Sequence, residues 1–172
     1  MELRDGNLVL RLWTEDDVPA LVQECNEEQI RHWLPAIPRP YTEGDAVAFV
    51  RGEVRPEEQS FAITLDGVVA GAIGLTVNSH EYRGTLGYWV AARARGRGVC
   101  TRALRLLSRW GLEELELQRL ELMTDPDNVA SQRVAEKVGY RREGVLRAHL
   151  QHPDGRIRDS VMFSLLPGEL LE

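Results

Sequence analysis

Residues 85–113 place three patterns one after another: a β-branched and aromatic run, a turn of alternating arginine and glycine, and a long amphipathic helix. A second apolar alternation follows at residues 119–123, with Leu120 and Leu122 on one face. A strand, a helix and a strand in that order build a parallel pair with the helix packed on the sheet. In the helix, Val99, Ala103, Leu106, Leu107 and Trp110 recur at helical spacing, while Arg102, Arg105 and Arg109 point elsewhere.

The flanking segments read as follows. Leu8, Leu10 and Leu12 alternate through residues 7–13, which predicts a strand. Thr14 offers an N-cap for a helix to about Glu24. Pro35, Pro38 and Pro40 make residues 32–41 an irregular loop, and Thr42 caps a second helix at 43–53. Residues 60–65 and 68–77 form a hairpin on Asp66-Gly67, which supplies positive φ angles for a tight turn. A helix at 128–137 stops at Gly139, and strands at 140–151 and 158–165 meet around Pro153-Asp154-Gly155. The order β α α β β β α β α β β predicts an α/β fold, a mixed sheet of about seven strands flanked by about four helices. With 172 residues, no repeat and no linker, one domain spanning the whole chain is expected.

Composition removes several function classes. The formal net charge of −6 argues against nucleic acid or an anionic membrane as partner. The longest uncharged stretch, residues 67–80, is too short to span a bilayer, and residues 1–11 lack the apolar core of a signal peptide. Cys25 and Cys100 have no metal-ligand spacing, so no metal is expected, and two lone cysteines fit a reducing cytoplasmic setting. Lys137 is the sole lysine; the remaining basic residues are arginine.

The turn Ala91-Ala92-Arg93-Ala94-Arg95-Gly96-Arg97-Gly98 carries the chemistry. Gly96 and Gly98 lack side chains, so their amides can approach a ligand directly. The helix that follows adds unpaired N–H groups and the positive end of its dipole. Together they suit a phosphate or pyrophosphate, although a glycine pair alone can equally turn a corner. No Gly-Lys-Ser/Thr follows, which excludes a P-loop, and a third glycine for a dinucleotide fingerprint is missing.

A second motif, Asn128-Val129-Ala130-Ser131 leading into Arg133–Tyr140, adds to Arg93-x-x-Gly96-x-Gly98. With these two motifs the chain resembles the GNAT superfamily of N-acetyltransferases, in particular its RimJ/RimL type of ribosomal-protein N-terminal acetyltransferases. Gly87-Tyr88-Trp89, Glu143-Gly144-Val145-Leu146-Arg147 and the last strand fit that type, so the resemblance covers nearly the whole chain.

The resemblance implies direct acetyl transfer from acetyl-CoA to an amine. By it, Trp89 and Val90 pair with the pantetheine arm, and an N–H near Val90 polarises the thioester carbonyl. Arg95, Gly96, Arg97, Gly98, Val99, Cys100 and Thr101 cradle the pyrophosphate, with Arg93, Arg97 and Arg102 as candidates for outlying phosphate charge. Asn128 fixes the pantetheine amide and the helix start. Many relatives carry a tyrosine where this chain has Ala135, so Ser131, which RimL-like members use, is the expected hydrogen-bond donor to the thiolate. Relatives often place a glutamate where this chain has Thr85, which leaves the base to His149, Glu143, His80 or Glu81.

The acceptor pocket is expected to draw on His32, Trp33, Pro35, Ile37, Pro40 and Tyr41, with Tyr88 as a further substrate contact. Without a strand carboxylate, a low-pKa amine is favoured. Deprotonating a lysine amine costs about 3 kcal/mol more than an α-amine, from about 2.4 pKa units at about 1.36 kcal/mol each. A peptide N-terminus therefore leads over a small amine such as a polyamine or aminoglycoside. The resemblance also implies a homodimer. The alternatives are a non-catalytic acyl-CoA-binding module, a detoxifying acetyltransferase and a phosphate-binding regulatory module.

Overall fold

The computed structural model describes every residue except Pro153, so that position of the expected last turn lies outside the described residues. Eight strands form one mixed sheet: β1 (Glu2–Asp5), β2 (Leu8–Arg11), β3 (Glu58–Leu65), β4 (Val68–Asn78), β5 (Arg83–Val90), β6 (Arg119–Thr124), β7 (Arg141–Gln151) and β8 (Ile157–Leu165). Their spatial order is β1-β2-β3-β4-β5-β6-β8-β7. Every neighbouring pair is antiparallel except β5 and β6, the pair that the central helix connects. The helices are α1 (Val18–Cys25), α2 (Glu28–Trp33), α3 (Glu43–Val50), α4 (Val99–Glu113) and α5 (Val129–Val138).

The sheet has one strand, and the fold one helix, more than the sequence predicts. The additional strand β1 is short and charged, with only Leu3 to signal an apolar face, and it is held by pairing Glu2–Asp5 against Leu8–Arg11. The additional helix α2 has six residues and ends at the proline cluster; Glu27 caps it by accepting from the Ile30 amide at 3.0 Å. Neither segment is long enough for periodicity to register. Thr14 does cap a helical turn, a 3-10 piece at Glu15–Asp17 that leads into α1, and Thr42 caps α3 with a reciprocal Asp45 contact.

Alternation along the strands divides the side chains between two layers. Phe61, Ile63, Ile73, Leu75, Leu86, Leu120, Leu122 and Phe163 face α4 and α5, where Val99, Ala103, Leu104, Leu107, Ala135 and Val138 are buried against them. Burying such side chains stabilises by about 1.5–3 kcal/mol each. On the other face, Val18, Leu21, Cys25, Tyr41 and Ala46 form a smaller cluster under α1 and α3, against Trp89. A polar tie adds to that layer: buried Asp17 receives both Arg11 guanidinium nitrogens, at 2.7 and 2.8 Å.

Two departures from a regular sheet position the site. Strands β5 and β6 pair only from Arg83–Leu86 against Arg119–Leu122; beyond that β5 runs on to Val90 while β6 stays with β8. The sheet therefore splits at Gly87. The second is a bulge in β7, where Leu146 faces Ser160 and Leu150 faces Arg158, so three residues of β7 oppose one of β8. Ala148 adopts a positive φ of 50° there, and its amide is taken by Asp159 Oδ1 at 2.8 Å.

Candidate active site

The split opens onto two helix mouths. After Val90 the chain makes a 3-10 turn at Ala92–Ala94 and reaches Gly96 and Gly98, with φ of 72° and 73°. Glycine is favoured at both because side chains rarely adopt that conformation. A methyl group built at either position would meet nothing within 4 Å, so the space beside both glycines is open to a ligand. The first backbone bond of α4 runs from the Arg102 amide to the Gly98 carbonyl at 3.0 Å, which leaves Val99, Cys100 and Thr101 without helical partners for their N–H groups. Along the split, the Ala91 amide bonds back to Ala70 on β4 at 2.9 Å. Alternation then turns the amides of Tyr88 and Val90 the other way, into the gap that β6 leaves.

The second mouth belongs to α5. Asn128 caps it by accepting from the Ser131 amide at 3.1 Å. The Ser131 hydroxyl is 2.9 Å from the Tyr88 hydroxyl. Tyr88 thus turns its hydroxyl to the α5 face while still bordering the cavity described below, and Gly87 and Trp89 take the opposite face because neighbours on a strand alternate. Burial pushes the Tyr88 phenol well above its ordinary range, and does the same to the Cys100 thiol, so both stay protonated at neutral pH.

The arginines of the turn divide by partner. Arg93 is held by Glu24 and the Val69 carbonyl, and Arg95 by Glu27 at 2.8 Å, Gln29 and the Val90 carbonyl. Arg102 is tied to Asp5 at 2.7 Å. Among the described residues, Arg97 alone of the four has no side-chain partner and is exposed. Arg93 and Arg95 therefore fasten α1 and α2 to the turn instead of reaching outward, and Arg97 is the one left to meet anionic charge.

On the opposite face of the split lies a cavity of about 830 Å³. Its floor is Ala72, Gly74, Thr76, Thr85, Gly87 and Trp89 from β4 and β5. Trp33, Pro35, Ile37, Tyr41 and Phe49 form an apolar wall, with Arg55 and Glu58 at one end and Gln151, His152 and Arg158 at the other. Trp33 and Tyr41 are thus where the sequence places them, while His32 and Pro40 do not line the cavity. Tyr41 is the more deeply buried of the two aromatics and belongs to the core cluster.

None of the four expected bases lines this cavity: His80 and Glu81 are exposed in the turn after β4, with Glu81 held by Asn78 at 2.7 Å and by Arg83. Glu143 forms a two-point ion pair with Arg119, at 2.7 and 2.6 Å, and accepts from Ser164 at 2.6 Å. Those contacts, Arg119 first, lower its pKa to about 2, which disqualifies it as a neutral-pH base. His149 sits in the β7 bulge with Nδ1 2.9 Å from Ser160 Oγ and does not line the cavity. His152 does. It is buried, and its Nε2 has no hydrogen-bond partner. Burial, with Arg156 and Arg158 nearby, lowers its pKa and keeps it neutral. A strand register counted without the bulge misses it.

Compared with known proteins, residues 7–141 match the acetyltransferase (GNAT) domain. The chain belongs to the GNAT acetyltransferase family. This GNAT N-acetyltransferase is 28% identical over 171 residues to YdaF of Bacillus subtilis (strain 168), provisionally named a ribosomal N-acetyltransferase, covering 95% of this chain and 93% of YdaF. It is 27% identical over 115 residues to the spermidine N(1)-acetyltransferase of Escherichia coli (strain K12), covering 66% of this chain and 61% of that protein. Its fold superposes on Mycobacterium smegmatis RimJ, solved in complex with a CoA-disulfide, with a TM-score of 0.86, 24% identity and coverage of 100% and 88%. The acetyl donor of the family is acetyl-CoA, and the open Gly96 and Gly98 amides, the free α4 N–H groups and the unpaired edge of β5 fit it.

Proposed function

We propose that this acetyltransferase moves the acetyl group of acetyl-CoA to a primary amine that enters through the cavity, with the α-amine of a peptide or protein as the favoured acceptor. The observation that carries the reading is the split between β5 and β6, because it joins a phosphate-holding face to an acceptor-holding face at Gly87. The relatives named for ribosomal proteins support a protein acceptor, and the one named for spermidine supports the alternative of a small amine.

Acetyl-CoA supplies a thioester carbonyl and a thiolate leaving group. The Gly96 and Gly98 amides, the first turn of α4 and Arg97 hold its phosphates. The amides of Tyr88 and Val90 offer strand-like pairing to the extended arm, and the Val90 N–H is placed to polarise the carbonyl. Ser131, oriented by Tyr88 and by the Asn128 cap, gives a hydrogen bond to the departing sulfur. The apolar wall from Trp33 to Phe49 holds the body of the acceptor and excludes water from the attack.

The test is acetylation followed by mass spectrometry, with peptides beginning Ala, Ser and Met beside spermidine and an aminoglycoside. One acetyl group on the α-amine of a peptide, and none on a lysine side chain, is the expected result. CoA binding with no acetylation of any amine in the panel would overturn the transferase reading, and transfer to spermidine alone would replace the favoured acceptor.

A further inference from the structure

The floor of the cavity has two adjacent positions without side chains. Gly74 on β4 and Gly87 on β5 are directly opposed in the antiparallel register. Over Gly87 there is open space, since a methyl group built there meets nothing within 4 Å. Over Gly74 lies the carboxylate of Glu58, reaching across from β3. A methyl group at Gly74 would stand 2.7 Å from Glu58 Cδ and closer still to Oε1, so this carboxylate can lie where it does only above a glycine. Its backbone does not ask for glycine on its own account, because Gly74 has no positive φ.

The two carboxylate oxygens are in different circumstances. Oε2 receives Arg55 Nη1 at 3.0 Å, whereas Oε1, the atom over Gly74, has no donor among the described residues. The Glu58 side chain is 16% exposed. Of the other acidic groups in the cavity wall, Asp45 is already occupied by the Thr42 amide at 2.8 Å and by the Thr42 hydroxyl. A lone acceptor oxygen therefore borders an empty place at the point where the sheet splits. The register also puts Glu58 in one cross-strand row with Thr76 and Thr85, so β3 brings a carboxylate to the row in which β5 has none.

We infer that Glu58 is the catalytic carboxylate that meets the acceptor amine, the amine occupying the space above Gly87 and donating an N–H to Oε1. This rests on the transferase reading above. As the amine nitrogen bonds to the acyl carbon, the carbon–sulfur bond breaks and its electron pair leaves on sulfur. The proton lost from nitrogen passes to Glu58 and on to solvent, while sulfur is met by the Ser131 hydroxyl. Arg55 holds the second oxygen and so fixes the direction of the first. Gly74 is a positioning residue: it acts only by leaving room.

Steady-state kinetics on Glu58→Gln, Gly74→Ala and the double variant test this, with the peptide or spermidine that the parent acetylates best. Loss of a general base is worth about 10²–10⁴-fold. Glu58→Gln is expected to lower kcat/KM for the acceptor at least about a hundredfold, with the KM for acetyl-CoA unchanged within twofold. Gly74→Ala is expected to lower it in the same way without touching the carboxylate, and the double variant to be no worse than Glu58→Gln alone. Glu58→Gln within threefold of the parent, or effects that simply multiply in the double variant, would overturn the assignment. His152→Asn is the competing arm, and a loss there in place of Glu58→Gln would move the role to the histidine.

A second readout separates this proposal from the transferase reading. Should the parent turn over no amine, that reading falls, and calorimetric titration of spermidine into the CoA-loaded protein still judges Glu58. Binding weakened fivefold or more by Glu58→Gln supports the contact; equal binding refutes it.

Discussion

The two faces of the split are built from different materials. The face proposed for the coenzyme is made mostly of backbone, the glycine turn, the free end of α4 and the unpaired edge of β5 within residues 87–101, with side chains added by Arg97 and Ser131. The acceptor face is made of side chains from α1, the loop after α2, α3, the start of β3, the middle of β4 and β5, and the β7–β8 tip. A backbone site tolerates change at most surrounding positions but fails where conformation itself is altered. A side-chain site fails one contact at a time. The pair Arg93–Glu24 and Arg95–Glu27 joins the two, so the helices that wall the acceptor are anchored to the coenzyme turn.

The sharpest way to break this contrast is at the turn. Valine at both Gly96 and Gly98 keeps the N–H groups but disfavours the left-handed backbone and puts a branched side chain beside the phosphate, so two amide contacts worth about 1.5–3 kcal/mol each when charge-assisted are expected to be lost. Coenzyme affinity, measured by titration on protein with retained secondary structure, is expected to fall at least about a hundredfold. Positive φ also makes the variant less stable, by about 1–2 kcal/mol per position. Unchanged affinity in a folded double variant would remove the basis for the coenzyme face.

Next in size is the leaving-group pair. Ser131→Ala and Tyr88→Phe are each expected to lower kcat by about tenfold or more, the size of one lost hydrogen bond to a developing thiolate, while the affinity for CoA stays within a few-fold. If Ser131→Ala weakens CoA binding and leaves kcat alone, the serine only caps α5. A smaller effect is expected at the arginines. Arg97→Ala should weaken CoA by about three- to tenfold, and Arg102→Ala should not, because Arg102 is spent on Asp5.

The smallest effect belongs outside both faces. Glu143→Gln is expected to leave acetylation unchanged and to cost under about 1 kcal/mol of stability at pH 7, since the pair with Arg119 is largely solvent-exposed. The folded pKa of Glu143, about 2, lies below its ordinary 4.5, so the pair stabilises the protein above about pH 4.5. That contribution disappears as the pH falls toward 2. Melting temperatures of the parent and Glu143→Gln should therefore converge with acid, and a gap that widens would contradict the ion-pair assignment.

Legibility in the sequence follows the same division. The β5–turn–α4–β6 unit, the Asp66-Gly67 hairpin, the Thr42 and Asn128 caps and the stop at Gly139 are all local, with Gly139 at a φ of 106°. The elements of the proposed coenzyme face could be read for that reason. Trp33 and Tyr41 were legible as a wall because three prolines lie between them, but their relative burial was not. His152 lines the cavity and His149 does not, because a bulge in β7 adds residues that no periodicity announces.

The sequence by itself determined the conformations that neighbours in the chain impose: which segments wind, which extend, and where glycine must turn left. Tertiary structure alone decided what meets across the sheet. The Glu58 carboxylate lies over Gly74, sixteen residues further along the chain and on another strand, and nothing between them in the sequence signals the contact. Backbone geometry is set within a few residues, whereas a cavity is closed by side chains whose proximity depends on the register of every strand between them.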